Sequence, residues 1–558
     1  RCTLRCAETH QLPACCRLPS GAIPARFAAV HIAKPPTAPA DSMSIGGHLA
    51  GDSADRSEGQ GMSVYLGIDA GTQSVKVLAY DAQARQVLAQ QARPLSLTAT
   101  DDGGREQNAA DWVQALVQAI QALPGTLRAQ VRGLAVSGQQ HGFVPLGADN
   151  RALGPVKLWC DTSSSEQCAQ IVSAMGGVAA CIAETGNDLR VGYTASKLRW
   201  TRQHRPDVDA ALDGIALPHD YLNLWLTGQR FMEAGDASGT GWLDVRRRSW
   251  SAPMLAATDE RRDLAGLLPP LVAPDQGFAL LPAVAALLGL PANTRVAVGG
   301  GDNMMAAIGT GAVREGRLSM SLGTSGTLFG WSATPRIDPQ GRWAAFCASD
   351  GGWLPLICTM NCTVATGQAA ALLGQSPAQC EDLLAQSAPG ADGLVMLPFF
   401  NGERSPDLPL ARGALHGLDL HNLTPANLYR AAMEGASYSL RLGHDALVEG
   451  GLHGQRLVQT GGGANSPAWR QLIADLFQLP VVVPVQAEGA AFGAALQALW
   501  LCEGQGRALA DLVDEHLQFD PALAARPDPT RAAAYEAGYQ RFVHHLQALT
   551  PLFQQRLP

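Results

Sequence analysis

The stretch Tyr65-Leu66-Gly67-Ile68-Asp69-Ala70-Gly71-Thr72-Gln73-Ser74-Val75-Lys76-Val77-Leu78-Ala79-Tyr80 constrains this chain more than any other. An apolar run ending on a carboxylate, a turn of small residues and a second β-rich run predict two strands joined by a tight turn. Glycine at such a turn lets backbone N–H groups approach a polyphosphate, Thr72 and Ser74 add hydroxyls, and Asp69 is suited to the magnesium that travels with a nucleotide. Taken alone, the same residues also describe an ordinary hairpin with glycine at its turn. The pattern returns in Ser319-Met320-Ser321-Leu322-Gly323-Thr324-Ser325-Gly326-Thr327-Leu328-Phe329-Gly330, with Gly323-Thr324 lying 252 residues after Gly71-Thr72. That spacing is too long for a solenoid repeat and points to a duplicated domain, each copy offering one hydroxyl-bearing loop to a polyphosphate held between them.

A chain of 558 residues, 46% hydrophobic, has material for two domains with large cores. Its net charge of −8, without a long run of Lys or Arg, argues against nucleic acid or an anionic membrane as the main partner. A metal-nucleotide and a neutral small molecule fit better. The most apolar stretch, residues 277–292, is interrupted by Pro282 and Pro291 and falls short of the roughly 20 residues that span a bilayer. It reads as a buried helix with flanking turns.

Residues 1–61 stand apart: they open on Arg1, crowd Cys2, Cys6, Cys15 and Cys16 together, and end in a polar stretch. Two accounts fit, a transit peptide or upstream translation ahead of a start at Met43 or Met62. The second is preferred because a strand begins at once after Met62, and the segment is expected to be disordered. The remaining eight cysteines are dispersed and form no Cys-x-x-Cys pair, so structural zinc is not expected and a cytoplasmic location suits them.

Several further segments carry polar residues at strand ends. Residues 111–123 space Trp112, Leu116, Val117 and Ile120 as a core-facing helix. The apolar run 131–137 then empties into Gly138-Gln139-Gln140-His141-Gly142, where Gln140 and His141 either meet a ligand or merely satisfy a turn. Leu158-Trp159-Cys160-Asp161 sets an aromatic beside a carboxylate, and Gly192 to Trp200 opens a basic helix. Asp236, in the small-residue turn 235–240, reads as a capping or turn residue ahead of a ligand group. The run 294–303 is a buried strand ending in three glycines, Asp302 and Asn303, where a carboxylate can take a proton from a hydroxyl or cap the following helix. Residues 397–406 form a polar loop with Glu403 and Arg404, and 457–466 feed Gly461-Gly462-Gly463 toward a helix over 467–478.

These residues resemble the FGGY family of carbohydrate kinases, within the wider actin-like ATPase fold. The marks are Gly67 to Thr72, Gly138 to Gly142, Gly299 to Asn303, Ser321 to Gly326 and Gly461 to Gly463, with signature-like stretches at 192–204 and 413–434. Thr201 and Cys160 depart from the pattern, where an apolar residue and Asn are usual. The resemblance implies an α/β fold of two actin-like (ribonuclease H-like) domains around a central nucleotide and sugar cleft. Residues 62–303 would form a sugar-binding domain and 304–558 a nucleotide-binding domain. It implies Asp302 as the proton acceptor, Gln140, His141, Asp302 and Asn303 at the sugar, and Asp69 near Mg2+. It further implies Gly71, Thr72, Gly323 and Thr324 at the phosphates of ATP, with Gly462, Gly463 and Asn465 beside the adenosine. The activity implied is ATP-dependent phosphorylation of D-xylulose in pentose catabolism, the alternatives being L-ribulose, L-xylulose, glycerol or a non-catalytic sugar-binding regulator. A homodimer is compatible with the family.

Overall fold

The computed structural model describes residues 62–554, so the expectation of a disordered extension at residues 1–61 lies outside the described residues. Alternating apolar residues in the first hairpin become a strand pair, Val64–Ala70 antiparallel to Ser74–Asp81, with Gly71 to Gln73 as the turn. Gln86–Pro94 continues the antiparallel run, and Val131–Gly138 lies parallel on the other side of Val64–Ala70. Beyond it come Arg295–Ala297, parallel, and the antiparallel edge strand Gly277–Ala279, while Gly300–Gly301 extends the pairing with Val131–Gly138. The helix Ala109–Gln121 buries Trp112, Leu116 and Ile120 against this sheet, and Val117 is half-buried.

The second sheet repeats that plan. Gly316–Leu322 pairs antiparallel with Gly326–Gly330, which pairs with Trp353–Thr359, while Gly454–Thr460 lies parallel to Gly316–Leu322. Val481–Pro484 follows in parallel, then the antiparallel edge strand Phe519–Ala525. The correspondence extends to an irregularity. Pairing with the parallel neighbour slips between Val64 and Tyr65 in one sheet and between Gly316 and Arg317 in the other, 252 residues apart, the spacing of the two Gly-Thr turns. A slip of register flips side chains to the opposite face, so its recurrence at one station is a property of the whole repeated unit. The two sheets differ at the edge: Gly277–Ala279 precedes its partner in the chain, whereas Phe519–Ala525 follows its own.

Two helices join the halves, Asp302–Thr310 and Gly489–Glu503. Where they cross, a Cβ at Gly309 would lie 1.9 Å from the carbonyl oxygen of Gly489, and one at Gly493 would lie 1.8 Å from that of Met305. Only glycine permits backbones to approach so closely. Gly489–Glu503 also packs on Val64–Ala70 and Val131–Gly138, so a helix late in the chain completes the core of the first sheet. The division expected between residues 303 and 304 therefore runs through the helix Asp302–Thr310.

Three local expectations need correction. Residues 277–292 hold the edge strand and a short helix, Pro282–Leu288, exposed on one side rather than buried all round, because it lies at the rim of the sheet. Residues 235–240 are two short helical turns, and their cap is Glu233, whose carboxylate accepts from the Gly235 and Asp236 N–H groups; Asp236 does not cap. The glycines 461–463 do not open the next helix: the 3-10 turn Gly462–Asn465 intervenes and Ser466 caps Pro467–Phe477. No single helix among the described residues is long and apolar enough to cross a membrane.

Candidate active site

Parallel strands leave their C-terminal ends bare, and here the ends from both sheets face one cavity of about 530 Å³. From the first half its wall includes Asp69, Gln140, His141, Tyr193, Asp302 and Asn303; the second half supplies Ser321, Gly323, Thr324, Phe346, Cys358, Arg404, Thr460 and Gly461.

Asp302 stands at the start of Asp302–Thr310, directly after the cap residue Gly301, so the capping role open to it in the sequence falls to glycine. One carboxylate oxygen accepts from the Asn303 backbone N–H at 2.8 Å and from Asn303 Nδ2 at 3.0 Å. Asn303 Nδ2 also donates to Gln140 Oε1 at 2.9 Å, which leaves the buried Gln140 Nε2 without a partner at the cavity wall. Removal from water, with the Asp69 and Asp236 carboxylates nearby, pushes Asp302 up to about 8. A carboxyl so tuned binds a proton readily, the property a base needs near neutral pH.

Asp69, one residue from the end of Val64–Ala70, pairs with Ser137, whose hydroxyl donates to it at 2.9 Å. Burial pushes this carboxyl up to about 6, and the charges of Lys76 and the Ser137 hydrogen bond pull the other way. Asp69 sets a carboxylate oxygen on the cavity wall, a hard donor of the kind magnesium takes alongside waters and phosphates.

His141 sits in the left-handed region at φ +64°, an uncommon place for a residue with a side chain. The fully buried Lys197 holds it there: Nζ donates to the carbonyls of His141 at 2.5 Å and Gly192 at 2.6 Å, and Thr194 Oγ1 adds a third contact to His141 at 3.2 Å. Burial pushes Lys197 down to about 7. Burial and the cations Lys197 and Arg404 hold the His141 imidazole well below its ordinary range, so the ring is neutral, one donor and one acceptor. It clusters with Tyr193, 4.8 Å between ring centres, and Phe346, 5.8 Å, which are themselves 6.2 Å apart.

Of the four residues expected at the phosphates, Gly323 and Thr324 reach the cavity, and Gly71 and Thr72 do not. The Thr72 hydroxyl is engaged inside the protein, donating to Gln139 Oε1 and accepting from Trp159 Nε1, both at 2.9 Å. Gly462, Gly463 and Asn465 lie on the turn just past Gly461, outside the cavity wall. Cys160 is likewise absent from that wall.

Sequence reasoning passed over Arg190, which donates to the Arg404 carbonyl at 2.8 Å and to the Gly341 carbonyl, and Asn187, which exchanges hydrogen bonds with the Ala345 backbone. These tie the two halves across the cavity, and no local pattern reveals a partner 150 or more residues away. It also passed over the role of Asp236, whose carboxylate meets the fully buried His219 at 2.6 Å; Asp220 and Asp236 push that imidazole up to about 9.

Residues 64–309 match the model of the N-terminal domain of the FGGY family of carbohydrate kinases, and residues 318–502 match that of the C-terminal domain. A xylulose kinase of Haemophilus influenzae is 40% identical over 494 residues, covering 87% of this chain and all of the relative. Among solved structures, a xyloylose kinase from Brucella ovis superposes with a TM-score of 0.81 at 33% identity, over 88% of this chain and 100% of the other. A gluconate kinase from Lactobacillus acidophilus shares the fold, with a TM-score of 0.82 at 22% identity over 88% and 99% of the two chains. One fold thus carries enzymes named for different sugars, so the architecture does not select the substrate.

Proposed function

This chain belongs to the FGGY family of carbohydrate kinases, and from that premise we propose that it transfers the γ-phosphoryl group of ATP to D-xylulose, giving D-xylulose 5-phosphate. The observation that carries the chemistry is Asp302, a carboxyl pushed up to about 8 at the wall of a cavity that both halves share. The choice of sugar rests on the relatives, named xylulose kinases, at 30–40% identity over most of the chain.

Asp302 takes the proton from the sugar hydroxyl as its oxygen attacks the γ-phosphorus. Gln140 Nε2, the unpartnered donor, and the neutral His141 hold the other sugar hydroxyls, and Tyr193 and Phe346 offer apolar faces to its C–H groups. Thr324, with the backbone of Gly323, meets the phosphates, and Gly462, Gly463 and Asn465 lie toward the adenosine. Asp69 is the residue that would hold magnesium, which when bound spreads the charge of the transferring group. Phosphoryl transfer is mostly positioning and charge stabilisation, so a cavity that excludes water also limits loss of ATP to hydrolysis. The eight cysteines of the described residues are all unpaired, which supports a cytoplasmic enzyme.

ADP release coupled to NADH loss, measured with ATP and magnesium across ketoses and polyols, tests the reading. Turnover fastest with D-xylulose is expected. Faster turnover with L-ribulose, L-xylulose or glycerol would move the substrate, and no sugar-dependent ADP would overturn the kinase assignment.

A further inference from the structure

Three arginines line the cavity, and their circumstances differ. Arg190 is paired with Asp188 at 3.3 Å, and Arg342 with Asp338 at 3.0 Å and Glu449 at 2.6 Å. Arg404 has no carboxylate within ion-pair distance among the described residues. Among the described residues its guanidinium makes one hydrogen bond, from Nη1 to the Cys358 sulfur at 3.7 Å, and lies 5.6 Å from the Trp159 ring centre.

The backbone beneath it is pinned from both sides. The buried Glu403 carboxylate accepts from the backbone N–H groups of Met360 at 2.6 Å and Arg404 at 2.7 Å and from Asn361 Nδ2 at 3.2 Å, while Arg190 holds the Arg404 carbonyl. A half-buried guanidinium on a fixed loop, left unpaired, costs desolvation that the free protein does not recover. Two carboxylates of the same cavity wall, Asp69 and Asp302, likewise have no ion pair among the described residues. Wherever these carboxyls are ionised they repel an incoming polyphosphate, and an unpaired cation on the same wall offsets that repulsion. Arg404, Cys358 and Asp302 all line this one cavity, with Arg404 Nη1 donating to the Cys358 sulfur.

Building on the kinase reading, we propose that Arg404 is a further catalytic residue, whose guanidinium contacts the phosphoryl group in transit and then holds the phosphate of the product sugar. In the step, the bond from the sugar oxygen to the γ-phosphorus forms and the bond from that phosphorus to the β,γ-bridging oxygen breaks. The hydroxyl proton goes to Asp302 and ADP leaves with the bridging oxygen; Arg404 stays protonated throughout. A planar fork of donors suits a phosphoryl group better than a lone sugar hydroxyl.

The test is Arg404→Gln and Arg404→Lys, with steady-state kinetics and with calorimetric binding of D-xylulose and of D-xylulose 5-phosphate. Arg404→Gln is expected to lower kcat by roughly 10²- to 10³-fold, the size typical of removing one preorganised charge-stabilising donor. It should weaken the sugar phosphate at least about tenfold and leave neutral D-xylulose within about threefold, since only the phosphate makes a charge-assisted contact. Arg404→Lys should recover part of both losses. Equal weakening of sugar and sugar phosphate, or a kcat within about threefold of the parent, would overturn the assignment. If circular dichroism shows Arg404→Gln to be unfolded, Arg404→Lys is judged by the same contrast between the two ligands. A parent protein that releases no ADP with any sugar fails the kinase reading, whereas an active parent matched by an active Arg404→Gln fails this inference alone.

Discussion

The two hairpins share a backbone and differ in what it carries. Both run strand, three-residue turn, strand, and both slip register with the parallel neighbour at the same station. Where the first has Asp69 facing Ser137, the second has Ser321 facing Thr460. Thr72 is bound into the protein through Gln139 and Trp159, while Thr324 is exposed and its hydroxyl makes no hydrogen bond among the described residues. The contrast recurs at the following helices. Asp302 opens the helix after Arg295–Ala297 with no ion pair, whereas Glu488, just ahead of the helix after Val481–Pro484, is paired at 2.6 Å with Lys76 of the first hairpin. Duplication thus supplies the frame twice and the unpaired acids once. In the kinase reading proposed above, the acids for the sugar hydroxyl and for magnesium lie in one half, and the loop proposed to meet the phosphates, neutral and open, lies in the other.

Breaking the asymmetry at its strongest point means Asp302→Asn, expected to lower turnover by roughly 10²- to 10⁴-fold in the ADP-release assay. The same change should raise Tm. The fold lifts this carboxyl from the ordinary 3.8 to about 8, so ionisation costs the native state nothing below about pH 4, progressively more between the two values, and the full amount above about 8. The Tm gain should accordingly be larger at about pH 8.5 than at about pH 6, and an equal gain at both would refute the shift. Next in size, Asp69→Ser copies the second hairpin into the first. The magnesium giving half-maximal activity should rise roughly ten- to a hundredfold. The acid limb of kcat/KM should also move to lower pH, because the Asp69 charge helps to raise Asp302.

A sharper comparison sets Thr324→Val against Thr72→Val. Loss of a hydrogen bond to a charged phosphate costs about 1.5 to 3 kcal/mol, so the first should lower kcat/KM for ATP roughly ten- to a hundredfold. The second loses bonds between neutral groups, worth about 1 kcal/mol each, and its effect should stay within roughly tenfold and appear mainly in Tm. Equal losses in ATP kinetics would mean that both hydroxyls meet phosphate and that the engaged state of Thr72 is not the working one. The smallest change is expected for Lys76→Ala, which breaks a half-exposed pair and should cost less than about 1 kcal/mol by chemical denaturation.

Much of this was legible beforehand because it is local. Strand, turn and strand are written in alternation and glycine placement, and the 252-residue echo was enough to expect two like halves. Asp302 and Asp69 were found because each ends an apolar strand. Asp236 was misjudged because small neighbours resemble a turn, and only the fold brings it to His219. The polar loop with Glu403 and Arg404 was visible, but not that one charge would be consumed by backbone N–H groups and the other left free.

By itself, then, the sequence determined the repeated unit, its strand ends and the carboxylates placed on them, since propensity and periodicity act over a few residues. Only the tertiary structure decided which hydroxyl is engaged and which is open, which helix of the second half completes the core of the first, and which arginine lacks a partner. Those outcomes depend on groups hundreds of residues apart competing for the same hydrogen bonds and charges, and that competition is settled only when the chain is packed.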